Sequence, residues 1–458
     1  MSFDIINPTT SEKINSFDAM TDAEVEDILS KTQSAQKKWA KVSFAERSRL
    51  FMALNDALMD NREKFAHLMT EEMGKIYQQG IAEIEKCAWG CRFYAENAEQ
   101  FLKTEQVKTE AYKSFVNYKP LGVVLAIMPW NFPFWQVFRF AAPAIMAGNG
   151  AILKHAPNVI GCSLEMEQIF VEAGLPENLF RSLIIDIPQT TKVTHDPRIA
   201  AVTITASVNA GRSVAAEAGK ALKKCVLELG GSDPYIVLED ADIDKAVEVG
   251  IVGRYQNSGQ SCIAAKRFIV VDEVYDEFEQ KFVAAVEQLK MGNPMDEDTY
   301  VGPQARLDLR DGLADQVRRT VEAGAKILTG GEIPEGPGAF YPATVLAGVK
   351  EGMPAWSEEL FGPVATLIRV KDEEEAIKVA NDTEFGLGGA VWTQDLARGE
   401  RIAADEIESG IAFVNDMSKS DPRMPFGGIK HSGYGRELSI FGIREFVNIH
   451  AVWVNRLD

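Results

Sequence analysis

Four segments of the chain carry residues whose types and spacing could do chemistry. Cys262 lies in RYQNSGQSCIAAKRFIVV, Arg254 to Val271, where a polar stretch with Gly259 gives way to an apolar, β-branched run that reads as a strand. A thiol on such a bend becomes a nucleophile when its pKa is lowered or a base lies beside it; the plainer alternative is a small packed residue. Glu228, in CVLELGGSDP, sits inside an apolar strand with two glycines behind it. Burial raises a carboxylate's pKa, which suits a general base near neutral pH; the alternative is a strand-end Glu facing water. Asn131, in MPWNFP, stands at a strand-to-helix junction, where its amide could cap the helix or donate to a developing oxyanion. ITASVNAG, Ile204 to Gly211, is a strand-to-helix turn whose backbone N–H groups and Ser207 hydroxyl favour a phosphate, though it also reads as an ordinary capped helix start and is not a GxGxxG fingerprint. Nucleophile, base, oxyanion donor and anion-binding turn together are far more specific than any one of them.

The elements that must position these residues alternate. From Asp22 to Phe101 there is no proline and little glycine, apolar positions recur at helical spacing, and the first hundred residues read as helices. FVNYKPLGVVLAIMPW then holds two short strand-like runs around a Lys119–Gly122 turn. NFPFWQVFRFAAPAIMAGN reads as a helix with Pro133 in its first turn, and GAILKHAP as a strand. A helix over 163–173, strand IAAVTIT, helix SVNAGRSVAAEAGKAL and strand KCVLELGG follow. After Gly231 come a helix near 242–256, the Cys262 bend, strand RFIVV, a helix over 274–289, strand ATLIRV, a helix over 373–381 and strand GAVWT. Strands alternating with helices mean βαβ units and parallel sheets, so the fold class is α/β, with two such domains. The last strand-like run, FVNIHAVWVN, is placed to pair with an edge on this chain or on another.

The 458 residues suffice for two or three domains, with ordinary globular contents of 46% apolar and 25% charged residues. A formal net charge of −19 repels nucleic acid and anionic lipid, so an anionic substrate needs a local basic site. No run approaches the ~20 apolar residues of a membrane span. MSFDIINPTTSEK lacks the basic and apolar parts of a signal peptide, and the cytoplasm is the expected compartment. Five scattered cysteines make no disulfide framework, and Cys87 and Cys91, four apart on a helix, read as core packing rather than a metal site. No metal is expected.

PWNFP, LELGG, YQNSGQSC, EELFGPV (358–364) and PFGGIKHSGYGRE (425–437) resemble, in order and spacing, the motifs of the NAD(P)-dependent aldehyde dehydrogenases, and the likeness runs from Asn7 to the C-terminus. It implies a Rossmann-like cofactor domain (1–105 and 121–230), an α/β catalytic domain (231–430) and a small oligomerisation sheet (106–120 and 440–458) in a homodimer or homotetramer. It implies Cys262 as nucleophile, Asn131 and the Cys262 N–H as oxyanion donors, and Glu228 as the base that activates water against a thioester. That base speaks against the similar CoA-acylating enzymes. For the cofactor, the resemblance implies Lys154 and Glu359 at a ribose, Trp130 and Ser207 on the pyrophosphate side, Phe361 by the nicotinamide ribose, and Leu229 and Gly230 alongside.

Two positions depart from the family pattern. Ala206 stands where a glycine usually precedes the serine of the phosphate turn, and Pro157 stands where NAD-preferring members often carry a Glu. Proline neither binds ribose hydroxyls nor repels a 2′-phosphate, and Lys154 attracts one, so NAD is expected with NADP tolerated. In FWQVFR, Trp135 and Arg139 share a helix face. Arg139 and Ser420 resemble the carboxylate contacts of bacterial succinate semialdehyde dehydrogenases, and Trp135 and Gln136 complete the implied substrate site. The expected substrate is therefore succinate semialdehyde. The alternatives are a structural role for Arg139 as partner of Glu437, a broad aliphatic or aromatic aldehyde dehydrogenase, a non-catalytic protein on this fold, or a thiol esterase. His155 and His431 are expected at surface or supporting positions, and Lys419, Arg423 and Lys430 to be solvated or structural.

Overall fold

The structure is a computed structural model describing residues 1–457, so the final residue of the 440–458 segment lies outside it. Two parallel-rich sheets form its centre. The first has six strands in the order Gly433–Tyr434, Lys224–Glu228, Ile199–Thr205, Val123–Met128, Gly150–His155 and Phe180–Ser182, all parallel except the first. The second has seven, in the order Lys326–Thr329, Thr344–Ala347, Val364–Val370, Ala265–Val271, Asp233–Val237, Ala390–Trp392 and Phe413–Val414, with only Lys326–Thr329 antiparallel. The central strands VVLAIM and AKRFIVV are near-continuous apolar runs because helices cover both sheet faces. The chain crosses from one sheet to the other in four residues, 229–232, and this brings the carboxyl ends of the first sheet beside the bend that enters Ala265–Val271. Ligand crevices form at such strand ends.

Helices are set by local signals. Thr21 and Asp186 close capping boxes, and Asp242 and Asp372 cap their helices. The helices Tyr77–Phe101 and Trp135–Met146 pack against each other and share a large core with Phe134, Phe138 and Phe140. A third sheet, all antiparallel, joins Val447–Val454, Lys113–Pro120 and Glu105–Gln106. The two runs of FVNYKPLGVVLAIMPW thus enter different sheets.

Two expectations are corrected. The chain does not begin with helices: Ser2–Ile6 and Lys13–Asp18 form an antiparallel hairpin, mostly exposed, so it has little apolar alternation to read. Pro133 lies ahead of its helix, in a turn, because the segment Trp130–Phe134 wraps around buried polar anchors before the helix begins at Trp135. Among the described residues no helix is long and apolar enough to cross a membrane.

Candidate active site

The bend before Cys262 is a strained backbone. Asn257, Ser258 and Gly259 have φ of 55°, 53° and 71°, a run of left-handed conformations that costs free energy at the two non-glycine residues. Gly259 is required here, since a Cβ would stand 2.3 Å from the Gly362 carbonyl oxygen. Buried donors hold the bend in place. Asn257 Nδ2 donates to the Asn131 carbonyl at 2.8 Å, and the Ser258 hydroxyl oxygen accepts from Gly302 N at 2.9 Å. The guanidinium of Arg254 donates to the carbonyls of Val364, Leu360 and Gly362. Lys266 Nζ donates to the carbonyls of Ser261 and Cys262 at 2.8 and 2.7 Å and lies 3.2 Å from Glu359. Glu359 in turn accepts from Gly231 N at 3.0 Å, and a Cβ at position 230 would lie 2.3 Å from the Glu359 carboxylate, so a larger residue there would displace that side chain.

Asn131, just past the first sheet's strand Val123–Met128, faces this bend, which enters the second sheet. Its Nδ2 donates to the Gln260 carbonyl at 3.0 Å, which spends one of its two N–H bonds and fixes the amide beside Cys262. The segment carrying Asn131 rests on a buried pair from the helix Tyr77–Phe101 and the turn before it. Lys75 Nζ donates to the Asn131 carbonyl at 2.8 Å and lies 2.7 Å from Glu83, whose other oxygen accepts from Phe134 N and Trp135 N, both at 2.9 Å. His155 braces the same segment from the other side, between the carbonyls of Met128 and Pro133, and burial pushes its pKa down to about 4. It is a buried support. Removing one member of a buried ion pair strands the other, at a cost of ~3–5 kcal/mol. Glu83→Gln is therefore expected to lose about that much stability in denaturant unfolding, with part recovered when Lys75→Met is added.

Two cavities meet at Cys262. The smaller, of 90 Å³, is lined by Lys86, Trp135, Gln136, Arg139, Cys262 and Ser420 among others. The larger, of 250 Å³, is lined by Trp130, Asn131, Gln136, Ala206, Ser207, Leu229, Gly230, Cys262, Glu359 and Phe361. Cys262 and Gln136 belong to both walls. The larger cavity lies at the carboxyl ends of the first sheet and above the start of the helix Val208–Lys220, whose cap is Ser207. Trp130 and Phe361 meet edge to face at 5.8 Å on its wall. A flat ring, an anionic group at the helix start and a ribose at Glu359 suit this lining, so the residues present fit a nicotinamide dinucleotide. Lys154 and Pro157 lie apart from this cavity, at the end of the neighbouring strand, where they line a separate crevice; Lys154 is half-buried and Pro157 exposed.

Glu228 ends its strand opposite Thr205, fully buried, with neither carboxylate oxygen hydrogen-bonded to a described residue. Burial, then the nearby Glu437, hold its pKa well above the usual carboxylate range, with Arg139 pulling the other way. Burial likewise pushes the Cys262 thiol up to about 12, against the pull of Arg139 and Lys266. Arg139 lies in the smaller cavity as the sequence suggests, yet its Nε pairs with Glu437 and its Nη2 reaches Thr205 at 3.5 Å, so the guanidinium fork is not free as a whole. Its plane sits 4.2 Å from the Phe426 ring centre. Ser420 accepts from the Trp135 indole N–H at 3.0 Å and from Lys86 Nζ at 2.9 Å. Lys75, Glu83, Lys86, Arg254, Asn257, Ser258 and Lys266 are among the site's polar residues that the sequence does not mark out. A half-buried thiol, an amide donor, an unpartnered buried carboxyl group and a cavity whose lining suits a nicotinamide nucleotide can together support attack on a carbonyl, oxyanion stabilisation and hydrolysis of the product.

The sequence matches the aldehyde dehydrogenase family over residues 1–452. A probable succinate-semialdehyde dehydrogenase [NADP(+)] of Synechocystis sp. is 48% identical over 454 residues, covering 99% of this chain and 100% of that one. A succinate semialdehyde dehydrogenase [NAD(P)+] of Escherichia coli is 47% identical over 452 residues, covering 99% and 98%. The crystal structure of succinic semialdehyde dehydrogenase from Streptococcus pyogenes in complex with NADP+ superposes with a TM-score of 0.97 at 38% identity, over 99% of this chain and 100% of that one. With a match that spans nearly every residue and a fold this close to solved members, the chain belongs to the aldehyde dehydrogenase family.

Proposed function

We propose that the protein oxidises succinate semialdehyde to succinate, using NAD or NADP. The observation that carries the substrate is the charge of the smaller cavity. Its lining holds Lys86, Arg139 and Lys419 and no carboxylate, in a protein whose net charge is −19. A basic pocket on an acidic surface suits an aldehyde with a carboxylate at its far end. The names of the Synechocystis, E. coli and S. pyogenes relatives support the same substrate.

In the proposed mechanism the Cys262 sulfur attacks the aldehyde carbon and makes a thiohemiacetal. Arg139 and Lys266 favour the thiolate against burial. The remaining Asn131 N–H and the Cys262 backbone N–H receive the oxyanion. The bound nicotinamide supplies the acceptor for the hydride. Glu228 then takes a proton from water, which attacks the thioester and frees succinate. For the cofactor, Trp130, Ala206, Ser207, Leu229, Gly230, Glu359 and Phe361 form the binding wall, and Lys154 offers its ammonium to a ribose or a 2′-phosphate. The absence of a carboxylate at Pro157 and the relatives named for NADP support use of NADP beside NAD.

The proposal extends to assembly. The strand Val447–Val454 is a free edge of the three-stranded sheet, and Ile449 and Trp453 on it are 64% and 56% exposed. A second copy covering this edge, in a homodimer or homotetramer, would remove the liability of an open strand. Residues 1–105 and 121–230 would carry the cofactor, 231–430 the nucleophile, and 106–120 with 440–458 the contact between copies. Five unpaired cysteines, three of them buried, favour a reducing compartment such as the cytoplasm.

The test is cofactor reduction by the wild-type protein with succinate semialdehyde, hexanal and benzaldehyde, run with NAD and NADP in parallel. The expected kcat/KM favours the semialdehyde by at least ~100-fold, as a site that pairs a buried charge rejects analogues lacking its partner. Equal kcat/KM on hexanal would defeat the substrate assignment and leave the family chemistry intact.

A further inference from the structure

We propose that Lys86 holds the distal carboxylate of the substrate, with the Ser420 hydroxyl as the second donor. The inference rests on the substrate reading above and names the cation that makes the contact.

Lys86 lies on the helix Tyr77–Phe101, three residues after Glu83 and on the same face, turned toward the helix Trp135–Met146. Its Nζ is 4.8 Å from the Trp135 ring centre and lines the same cavity as Cys262. Among the described residues it makes one hydrogen bond, to Ser420 Oγ at 2.9 Å, and no ion pair. The cavity's other cations are already matched, Arg139 with Glu437 and Lys419 with Asp416. Lys86 is therefore the one cation of this lining left without a carboxylate. Burial, with the Arg139 charge beside it, pushes its pKa down to about 8, against the pull of Asp421 and Glu83. An entering carboxylate would relieve that state by supplying the missing countercharge.

Ser420 completes the geometry. Its oxygen accepts from both Lys86 Nζ and Trp135 Nε1, so the two lone pairs are occupied and its own O–H remains to donate. Two N–H bonds of Lys86 and the Ser420 O–H then serve the two oxygens of one carboxylate. Trp135 fixes Ser420 and makes the apolar floor beneath Lys86. Arg139, tied to Glu437 and felt by Glu228, contributes charge to the cavity and sets the carboxyl pair behind Cys262.

The test compares wild type, Lys86→Met, Lys86→Arg and Arg139→Lys on succinate semialdehyde and on butanal, which has the same carbon count without the carboxylate. For Lys86→Met the expected KM for the semialdehyde rises ~10- to 100-fold, the loss of a charge-assisted contact. Butanal kinetics are expected to stay within about twofold, which also establishes that the variant is folded; Lys86→Arg restores most of the semialdehyde KM. Arg139→Lys is expected to lower kcat on both substrates. An unchanged semialdehyde KM in Lys86→Met would overturn the proposal, as would equal losses on both aldehydes. A wild-type protein that does not prefer the semialdehyde over butanal would instead overturn the substrate reading, before any variant is compared, and the proposal with it.

Discussion

Cys262→Ala is expected to lose at least ~10⁴-fold in kcat while binding nicotinamide cofactor as tightly as wild type. The loss follows from what the side chain is and where it stands. No other cysteine lines either cavity. Cys87, Cys91 and Cys162 are fully buried in the helical core, and Cys225 sits on a strand away from the bend. Cys262 is one residue among many on the larger cavity's wall, and the bend is held by Asn257, Ser258, Arg254 and Lys266, none of which bonds the thiol. Removing the sulfur therefore removes the nucleophile and leaves its frame. Stopped-flow absorbance of reduced cofactor, paired with fluorescence titration of cofactor binding, separates the two. Residual dehydrogenase turnover in Cys262→Ala would rule out the covalent route.

Glu228→Gln is expected to keep the first reduction of cofactor and slow steady turnover by ~10²- to 10⁴-fold, the range of a lost general base. Its trace is a burst of one equivalent of reduced cofactor followed by a near-flat line. The burial that makes Glu228 costly also sets its pH behaviour. Its folded pKa is raised well above the usual carboxylate range by burial and the nearby Glu437, so the base form grows over a correspondingly higher pH range. Where hydrolysis limits the wild type, kcat should climb with pH over this range, and the climb should vanish in Glu228→Gln. Linkage gives stability the opposite trend: a raised carboxyl pKa disfavours the fold as pH rises above the unfolded value, so replacing Glu228 by the neutral amide should not destabilise the protein at alkaline pH.

Much of this site was legible from local chemistry. Asn131 and Cys262 are far apart in sequence, but each sits in a short polar turn between apolar elements, and the glycines at 231 and 259 mark close backbone approaches that the structure contains, to the carbonyls of Cys262 and Gly362. The parallel sheets were legible because buried strands are apolar throughout and alternate with helices. What was not legible had no local signal. Lys75, Glu83 and Lys86 occupy the start of a long amphipathic helical segment, where charges are ordinary; their importance comes from Phe134, Trp135 and Ser420, which only the fold brings near. The N-terminal hairpin escaped because its strands bury almost nothing, and Pro133 misled because the turn around Lys75 and His155 delays the helix. Arg139 was marked out by the family resemblance rather than by local chemistry, which left both a carboxylate contact and a pairing with Glu437 open; the ion pair with Glu437 is a contact across the fold.

In the proposed chemistry oxidation passes through an acyl group on Cys262. Mixing Glu228→Gln with succinate semialdehyde and NADP, quenching in acid and mapping the adduct by mass spectrometry tests it most directly. One succinyl group per chain is expected, on the peptide that contains Cys262, formed in step with the burst of reduced cofactor and missing from Cys262→Ala. Reduced cofactor forming at burst amplitude with Cys262 unmodified, or an adduct on another residue, would contradict it.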